Sequence, residues 1–199
     1  ATKLMIIAHP DDELIFGGVE LINYGSDYKV VCVTNPTNKD RILEFETVME
    51  KLNICSWEIL DYEDTLHPTQ TYDKLDDIIN SREWKKIVTH NPVGEYGHPQ
   101  HKLIHDRVKN CLAETSPSTI DNFYVFGKSP VKINEYILNQ KMDLLKLYKS
   151  EEEIINQILN SNGRWFISND PTTNYVEYES ISKYNIKQDN TPYTHCYDK

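Results

Sequence analysis

Apolar positions along the first two thirds of the chain switch repeatedly between two periods. "KLMIIA" (3–8) is a continuous apolar run and predicts a buried strand, and "DELIFGGVELINYG" (12–25) then takes up helical spacing and stops near Gly25. "YKVVCVTN" (28–35) predicts a second strand, and "DRILEFETVMEKLN" (40–53) a helix. Ile42, Phe45, Met49 and Leu52 form that helix's stripe, with Asp40 as its expected N-cap. Three more strands are expected at "SWEILDY" (56–62), "KKIVTHN" (85–91) and "NFYVFG" (122–127). Helices are expected between them at "TYDKLDDIINSREW" (71–84) and "HPQHKLIHDRVKNCLAE" (98–114), the latter with Ile104, Val108 and Leu112 on one face. Strands and helices that alternate across short connections predict an α/β fold with a three-layer, Rossmann-like build. It would have a mainly parallel sheet of about five strands with helices on both faces.

The last third reads differently. "INEYILNQKMDLLKLYKSEEEIINQILNSNG" (133–163) is one long helix or two broken ones ended by Gly163, and "NDPTTNYVEYESISKY" (169–184) a loop and then a short helix. The tail from Asn185, with Pro192, is expected to be irregular. Nothing after residue 130 carries its own strand set, so residues 1–199 are expected to form one domain, with 131–199 packed on it as a helical and irregular extension.

Charge narrows the function classes. Thirty-one acidic against 21 basic residues give a formal net charge of −10, which argues against nucleic acid or an anionic membrane as partner. No apolar run approaches the ~18 residues of a membrane span. No secretory signal precedes the first strand; the chain opens on Ala-Thr, which leaves a leader or anchor ahead of it open. The four cysteines form no C-x-x-C pair, and Cys32 and Cys111 fall at core positions, so a reducing, cytoplasmic compartment is expected.

In an open parallel sheet, ligands bind beyond the carboxyl ends of the strands. The polar residues there are His9, Asp11, Asp12 and Glu13 after the first strand, and Thr34, Asn35, Arg41 and Glu44 after the second. Asp61 and Asp64 follow the third, and His90, Tyr96, His98 and His101 the fourth. His9 and Asp12 stand three apart, as do His98 and His101, each pair where a helix begins. Zinc takes His nitrogen and Asp oxygen, and catalytic zinc sites use three protein ligands. His9, Asp12 and one histidine of the second pair would complete such a set, leaving Asp11 beside it as a base. Each cluster alone also has a plain reading. Asp-Asp-Glu after Pro10 suits helix capping and dipole compensation, and the two histidines suit a polar helix start. Their joint occurrence on one rim favours the metal. His105 lies beside the Ile104/Val108 stripe and is expected to be structural, His67 and His195 to be on the surface, and His90 to be a satisfied core histidine.

"AHPDDE" (8–13) followed by "GEYGHPQH" (94–101) resembles the LmbE-like/PIG-L family of zinc-dependent N-acetylglucosamine deacetylases. The resemblance covers residues 3–127 in ordered blocks, and "KMDLLKLYKS" (141–150) is similar to the family's late K-x3-L-x2-Y-x-S helix. It implies that His9, Asp12 and His101 hold zinc, or another divalent transition metal, and that Asp11 is the general base. It makes His98 the imidazolium that stabilises the oxyanion and protonates the leaving amine, and Tyr96 the group that polarises the carbonyl. Arg41, with Glu44 as its partner, and Asp64 would contact substrate. Many members read His-Pro-Asp-His where this chain has Gln100, so the charge that would hold His98 protonated is missing; Glu95 is a candidate substitute.

The implied activity is hydrolysis of the linear amide of an N-acetylglucosamine-containing small molecule, releasing acetate and a free amino sugar. The acidic rim of Asp61, Asp64 and Glu95 suits sugar hydroxyls, and a homo-oligomer is compatible with all of this. Two rivals are a zinc amidase or esterase acting on another acyl group, and a non-catalytic sugar-binding module.

Overall fold

The structure is a computed structural model; it describes residues 1–34, 37–66, 70–115, 120–160 and 178–186. Five parallel strands follow one another as β1 (Lys3–Ile7), β2 (Tyr28–Thr34), β3 (Ser56–Tyr62), β4 (Lys86–Thr89) and β5 (Phe123–Lys132). The helices are α1 (Asp12–Tyr24), α2 (Lys39–Lys51), α3 (Asp73–Asn80), α4 (Pro99–Thr115), α5 (Glu135–Leu145) and α6 (Glu152–Asn160). A sixth strand, β6 (Tyr178–Lys183), pairs antiparallel with β5, and the order across the sheet is β3-β2-β1-β4-β5-β6.

Alternate residues of β1 feed two cores. Met5 and Ile7 pack with Leu14 of α1, Phe45, Val48 and Met49 of α2 and Leu145 of α5. Leu4 and Ile6 pack with Leu75 and Ile79 of α3 and Ile104, Val108 and Leu112 of α4. Burial on both faces is why these strands read as apolar runs. Each such side chain removed from water contributes roughly 1.5–3 kcal/mol.

Two local expectations are corrected and one open alternative is decided. The N-cap of α2 is Asn38, whose side chain accepts from Asp40 N–H at 3.0 Å, so Asp40 lies in the first turn. The long helical stretch divides into α5 and α6 around a 3-10 turn at Lys149–Glu151; Gly163, its expected end, lies outside the described residues. The stretch expected to end in a short helix contributes β6 instead. The open edge of β5 supplies backbone partners that the polar sequence of β6 does not announce.

One buried ion pair ties the late elements to α1. Lys141 of α5 is fully buried, and its Nζ donates to Glu179 of β6 and to the Ile15 carbonyl, both at 2.9 Å. Glu179 also accepts from Val19 N–H at 2.9 Å. Ile15 and Val19 are i,i+4 partners in an undisturbed helix, so the pair engages the backbone of α1 itself. Gly18 explains the approach: a Cβ there would stand 3.1 Å from Lys141 Cδ. Two glycines inside a helix cost about 1 kcal/mol each, and here they admit Lys141 and the Met5 side chain.

Lys141→Met leaves Glu179 buried without its cation. Stability should fall by about 3–5 kcal/mol, read from the urea midpoint. A loss under ~1 kcal/mol would show that Glu179 carries its own proton.

Candidate metal centre and active site

Strand order reverses between β1 and β4, and a crevice at such a switch point is where open α/β sheets bind ligands. His9 follows β1 and His90 follows β4. The loop to α4 then supplies Glu95, Tyr96 and His98, and α4 itself supplies His101.

After His9 the chain turns sharply. Asp11 adopts φ 107° and ψ −29°, a left-handed conformation that costs a non-glycine residue on the order of 1–3 kcal/mol. Its carbonyl accepts from Leu14 and Ile15 N–H, opening α1, but its side chain makes no capping bond. Each of the successive carboxylates has a different partner. Asp11 Oδ2 accepts from Arg41 at 3.0 Å. Asp12 Oδ2 accepts from His9 N–H at 2.9 Å and faces three imidazoles. Glu13 accepts from Asp11 N–H at 2.9 Å and from the Tyr148 hydroxyl at 2.5 Å, so a residue just beyond α5 holds the turn.

Partner and burial set the ionisation of each. Burial pushes Asp11 up to about 7; Arg41 pulls it back, and neighbouring Asp12 adds to the rise. Burial acts on Asp12 too, but His101, His9 and His90 outweigh it and hold it well below the usual carboxylate range. Burial pushes Glu13 up to about 8 against the Tyr148 bond.

Asp12 Oδ2 lies 3.4 Å from His9 Nδ1, 3.4 Å from His101 Nε2 and 3.4 Å from His90 Nε2. Ligands 2.0–2.2 Å from a tetrahedral zinc stand ~3.3–3.6 Å apart, so each histidine stands from Asp12 as a co-ligand would; among the described residues the sets whose donors all lie within 4.8 Å of one another are Asp12, His90 and His101, and His9, His98 and His101. His90 differs from the other two rings in one respect: its Nε2 already accepts Ala8 N–H at 3.0 Å. His101 Nε2 is buried and has no hydrogen-bond partner among the described residues, which is the condition of an atom that faces a cation. The donor set therefore fits a divalent transition metal.

His98 lies beside this set, its ring 5.0 Å from that of His9 and 4.4 Å from that of His101. Burial, His101 and His9 push it down to about 4. Gln100 N–H donates to its Nδ1 at 3.2 Å, which leaves the proton of the neutral ring on Nε2. The Tyr96 ring packs edge-on to both, 5.7 Å from His98 and 5.6 Å from His101. Asp64, half exposed, has Oδ2 3.2 Å from His9 Nε2.

Several expectations change. Arg41 is partnered by Glu151 at 3.2 Å, not by Glu44, which accepts from the Ser150 hydroxyl at 2.5 Å. Arg41 also donates to the Pro10 carbonyl, so it braces the turn from below. Glu95 belongs neither to an acidic rim nor to His98: it is buried against His90 and His101. Asp61 sits on the surface with Lys74, and Thr34 donates to the Ala8 carbonyl. His105 is structural, its Nδ1 on the His90 carbonyl at 2.8 Å. Asn35, His67 and His195 lie outside the described residues. Sequence reasoning missed Glu13, Glu151 and Tyr148 as supports of the site. The Tyr and Ser of "KLYKS" were visible as a pattern, but not their carboxylate partners.

The family described as PIG-L: GlcNAc-PI de-N-acetylase matches residues 4–112, from β1 to near the end of α4. The uncharacterized protein L374 of Acanthamoeba polyphaga mimivirus is 37% identical over a 176-residue alignment that covers 78% of this chain and 74% of that protein. Among solved structures, the N,N'-diacetylchitobiose deacetylase from Pyrococcus horikoshii superposes with a TM-score of 0.64 at 17% identity, covering 98% of this chain and 88% of that one. The conserved protein TT1542 from Thermus thermophilus gives 0.62 at 16% identity and 92% of each chain. At those identities the two structures establish the Rossmann-like fold. Among the described residues no helix is long and apolar enough to cross a membrane.

Tyr148→Phe removes a donor from a buried carboxylate. It should lower stability by about 1–3 kcal/mol, measured by denaturant unfolding. No change would mean that Glu13 meets its own hydrogen-bonding need in protonated form.

Proposed function

The chain belongs to the PIG-L, GlcNAc-PI de-N-acetylase, family, and on that premise we propose that it is a zinc-dependent N-deacetylase of an N-acetylglucosamine-containing substrate. The observation that carries this reading is the Asp12 carboxylate oxygen at 3.4 Å from His9 and from His101, with the raised carboxyl of Asp11 next in the chain. His9, Asp12 and His101 would hold the metal. When bound, zinc supplies a Lewis acid that polarises the acetamide carbonyl and makes water acidic enough to attack near neutral pH.

The protein's own groups supply the rest. Arg41 occupies Oδ2 of Asp11, which leaves Oδ1 to take the proton of the attacking water. A carboxyl near 7 is matched to that task at neutral pH. Water adds to the carbonyl carbon, and Tyr96 and His98 donate hydrogen bonds to the oxyanion. Each such donor is worth on the order of 3 kcal/mol of barrier. His98 is a neutral Nε2–H donor whose Nδ1 already accepts Gln100 N–H, so it steadies the oxyanion and keeps its proton. Asp11, protonated by the attacking water, returns that proton to nitrogen as the C–N bond breaks, and acetate and a free amine leave.

Asp64 is the exposed carboxylate at the mouth and suits a sugar hydroxyl. The Pyrococcus neighbour is named an N,N'-diacetylchitobiose deacetylase, which supports an N-acetylated amino sugar here. Incubation with a panel of N-acetylated sugars, simple amides and esters tests this: acetate and free amine from the sugars alone are expected, and turnover confined to esters or other amides would reject it.

His101→Ala should lose both zinc and turnover while circular dichroism stays that of the parent. Chelation should silence the parent, and zinc should restore it. Parent protein that holds no divalent metal and ignores chelators would refute the metal reading. Asp11→Asn should keep zinc and lose turnover by on the order of 10²–10⁴-fold. Loss of zinc in that variant would make Asp11 a ligand instead.

A further inference from the structure

Glu95 lies beneath the metal centre, between β4 and α4, and no part of the proposed chemistry uses it. It is 6% exposed and adopts φ 55°, a left-handed conformation that needs support in a residue with a side chain. Asn91 supplies the support: its Oδ1 accepts from Glu95 N–H at 3.1 Å, while Asn91 N–H donates to Glu95 Oε1 at 2.8 Å. The other carboxylate oxygen, Oε2, meets two imidazoles at once, His101 Nδ1 at 2.6 Å and His90 Nδ1 at 2.9 Å. Those rings lie stacked, 3.8 Å between centroids and 19° apart in plane.

A carboxylate only accepts hydrogen bonds, so both rings must carry a proton on Nδ1. In the neutral rings the lone pairs are then on Nε2. That of His90 is taken by Ala8 N–H at 3.0 Å. That of His101 has no donor among the described residues. Both Nε2 atoms lie 3.4 Å from Asp12 Oδ2, so the two rings, nearly alike in orientation and on one carboxylate, differ in the Ala8 N–H that His90 alone accepts. Donor spacing does not distinguish them, since Asp12, His90 and His101 form as compact a trio as His9, His98 and His101.

We propose that Glu95 is a positioning residue of the metal centre: it fixes His90 and His101 as Nδ1–H tautomers, so that His101 presents a free Nε2 to the metal while His90 serves as the shelf beneath it. The inference rests on the zinc reading above. A carboxylate behind a ligating histidine is a general way to orient a ring and raise its basicity; the particular feature here is one oxygen shared by a ligand and a non-ligand.

Glu95→Gln tests it. An amide cannot accept from Asn91 and from both imidazoles together. If its NH2 faces the rings, His101 must turn its proton to Nε2, towards the metal. Zinc affinity, measured by competition with a chromophoric chelator, should weaken 10–100-fold. Turnover lost at limiting zinc should return at saturating zinc, which a general loss of structure would not allow. His90→Gln, which can still accept from Ala8, should keep one zinc per chain. In the zinc-loaded parent, nitrogen-15 spectra should show exchange-protected protons on Nδ1 of both His90 and His101, a readout that needs no variant to fold. Unchanged zinc affinity in Glu95→Gln, zinc loss in His90→Gln as complete as in His101→Ala, or a proton on His101 Nε2 would each overturn the proposal with the zinc reading intact. A parent that binds no zinc would remove both.

Discussion

Burying three consecutive carboxylates at the end of one strand is the constraint around which this structure is arranged. Asp11, Asp12 and Glu13 are 5%, 3% and 0% exposed. An isolated buried charge is costly enough that a protein either pairs it or protonates it. No single cation could serve all three, because successive side chains at a strand-to-helix junction point in different directions. Each therefore draws its partner from a different part of the chain: Arg41 from α2, the imidazoles from the ends of β1 and β4 and from α4, and Tyr148 from the turn after α5. Elements distant in sequence converge on three residues.

The same arrangement separates the chemistry of neighbours. Asp11 and Asp12 are adjacent and equally hidden from water, yet one is pushed up to about 7 and the other is held well below the usual range. The difference lies in what faces each oxygen: one guanidinium shared with Glu151 in the first case, and several imidazoles in the second. Pairs of carboxylates whose environments drive them apart divide the roles of proton carrier and fixed charge. The left-handed backbone of Asp11 belongs to this division, since it turns one side chain towards Arg41 and the next towards the histidines.

The sequence carried the fold because β1, β2 and β4 are buried on both faces, and continuous apolar runs such as "KLMII" are the direct trace of that burial. It carried His9, Asp12, His98 and His101 because strand ends are where open sheets concentrate polar groups. It did not carry β6, whose place is set by the free edge of β5 rather than by its own apolar pattern. Nor did it carry side-chain partners. Arg41 and Glu44 stand three apart on one helix and look like a pair, yet Ser150 claims Glu44 and Glu151 claims Arg41. Neighbours along a helix are legible, whereas the element that packs across them is not. Glu95 shows the same limit: a carboxylate before two histidines looks like part of a rim until the turn at Asn91 folds it underneath.

Gln100 fits this electrostatic pattern. The position is 2% exposed, so an aspartate there would be another buried charge within a few residues of Glu95 and close to the imidazole cluster. A charged His98 would have to offset it. Glutamine makes no such demand, and burial, His101 and His9 push His98 down to about 4, where the neutral ring prevails. The amide has its own requirement, since its oxygen and nitrogen are both buried without partners among the described residues. Unmet amide hydrogen bonds cost roughly 1–3 kcal/mol, less than an unpaired buried carboxylate. The chain thus accepts a modest polar penalty at Gln100 in place of a second ion pair beside the imidazole cluster. The consequence falls on His98: with no fixed anion at position 100, the neutral ring keeps its proton on Nε2 and its Nδ1 accepts Gln100 N–H.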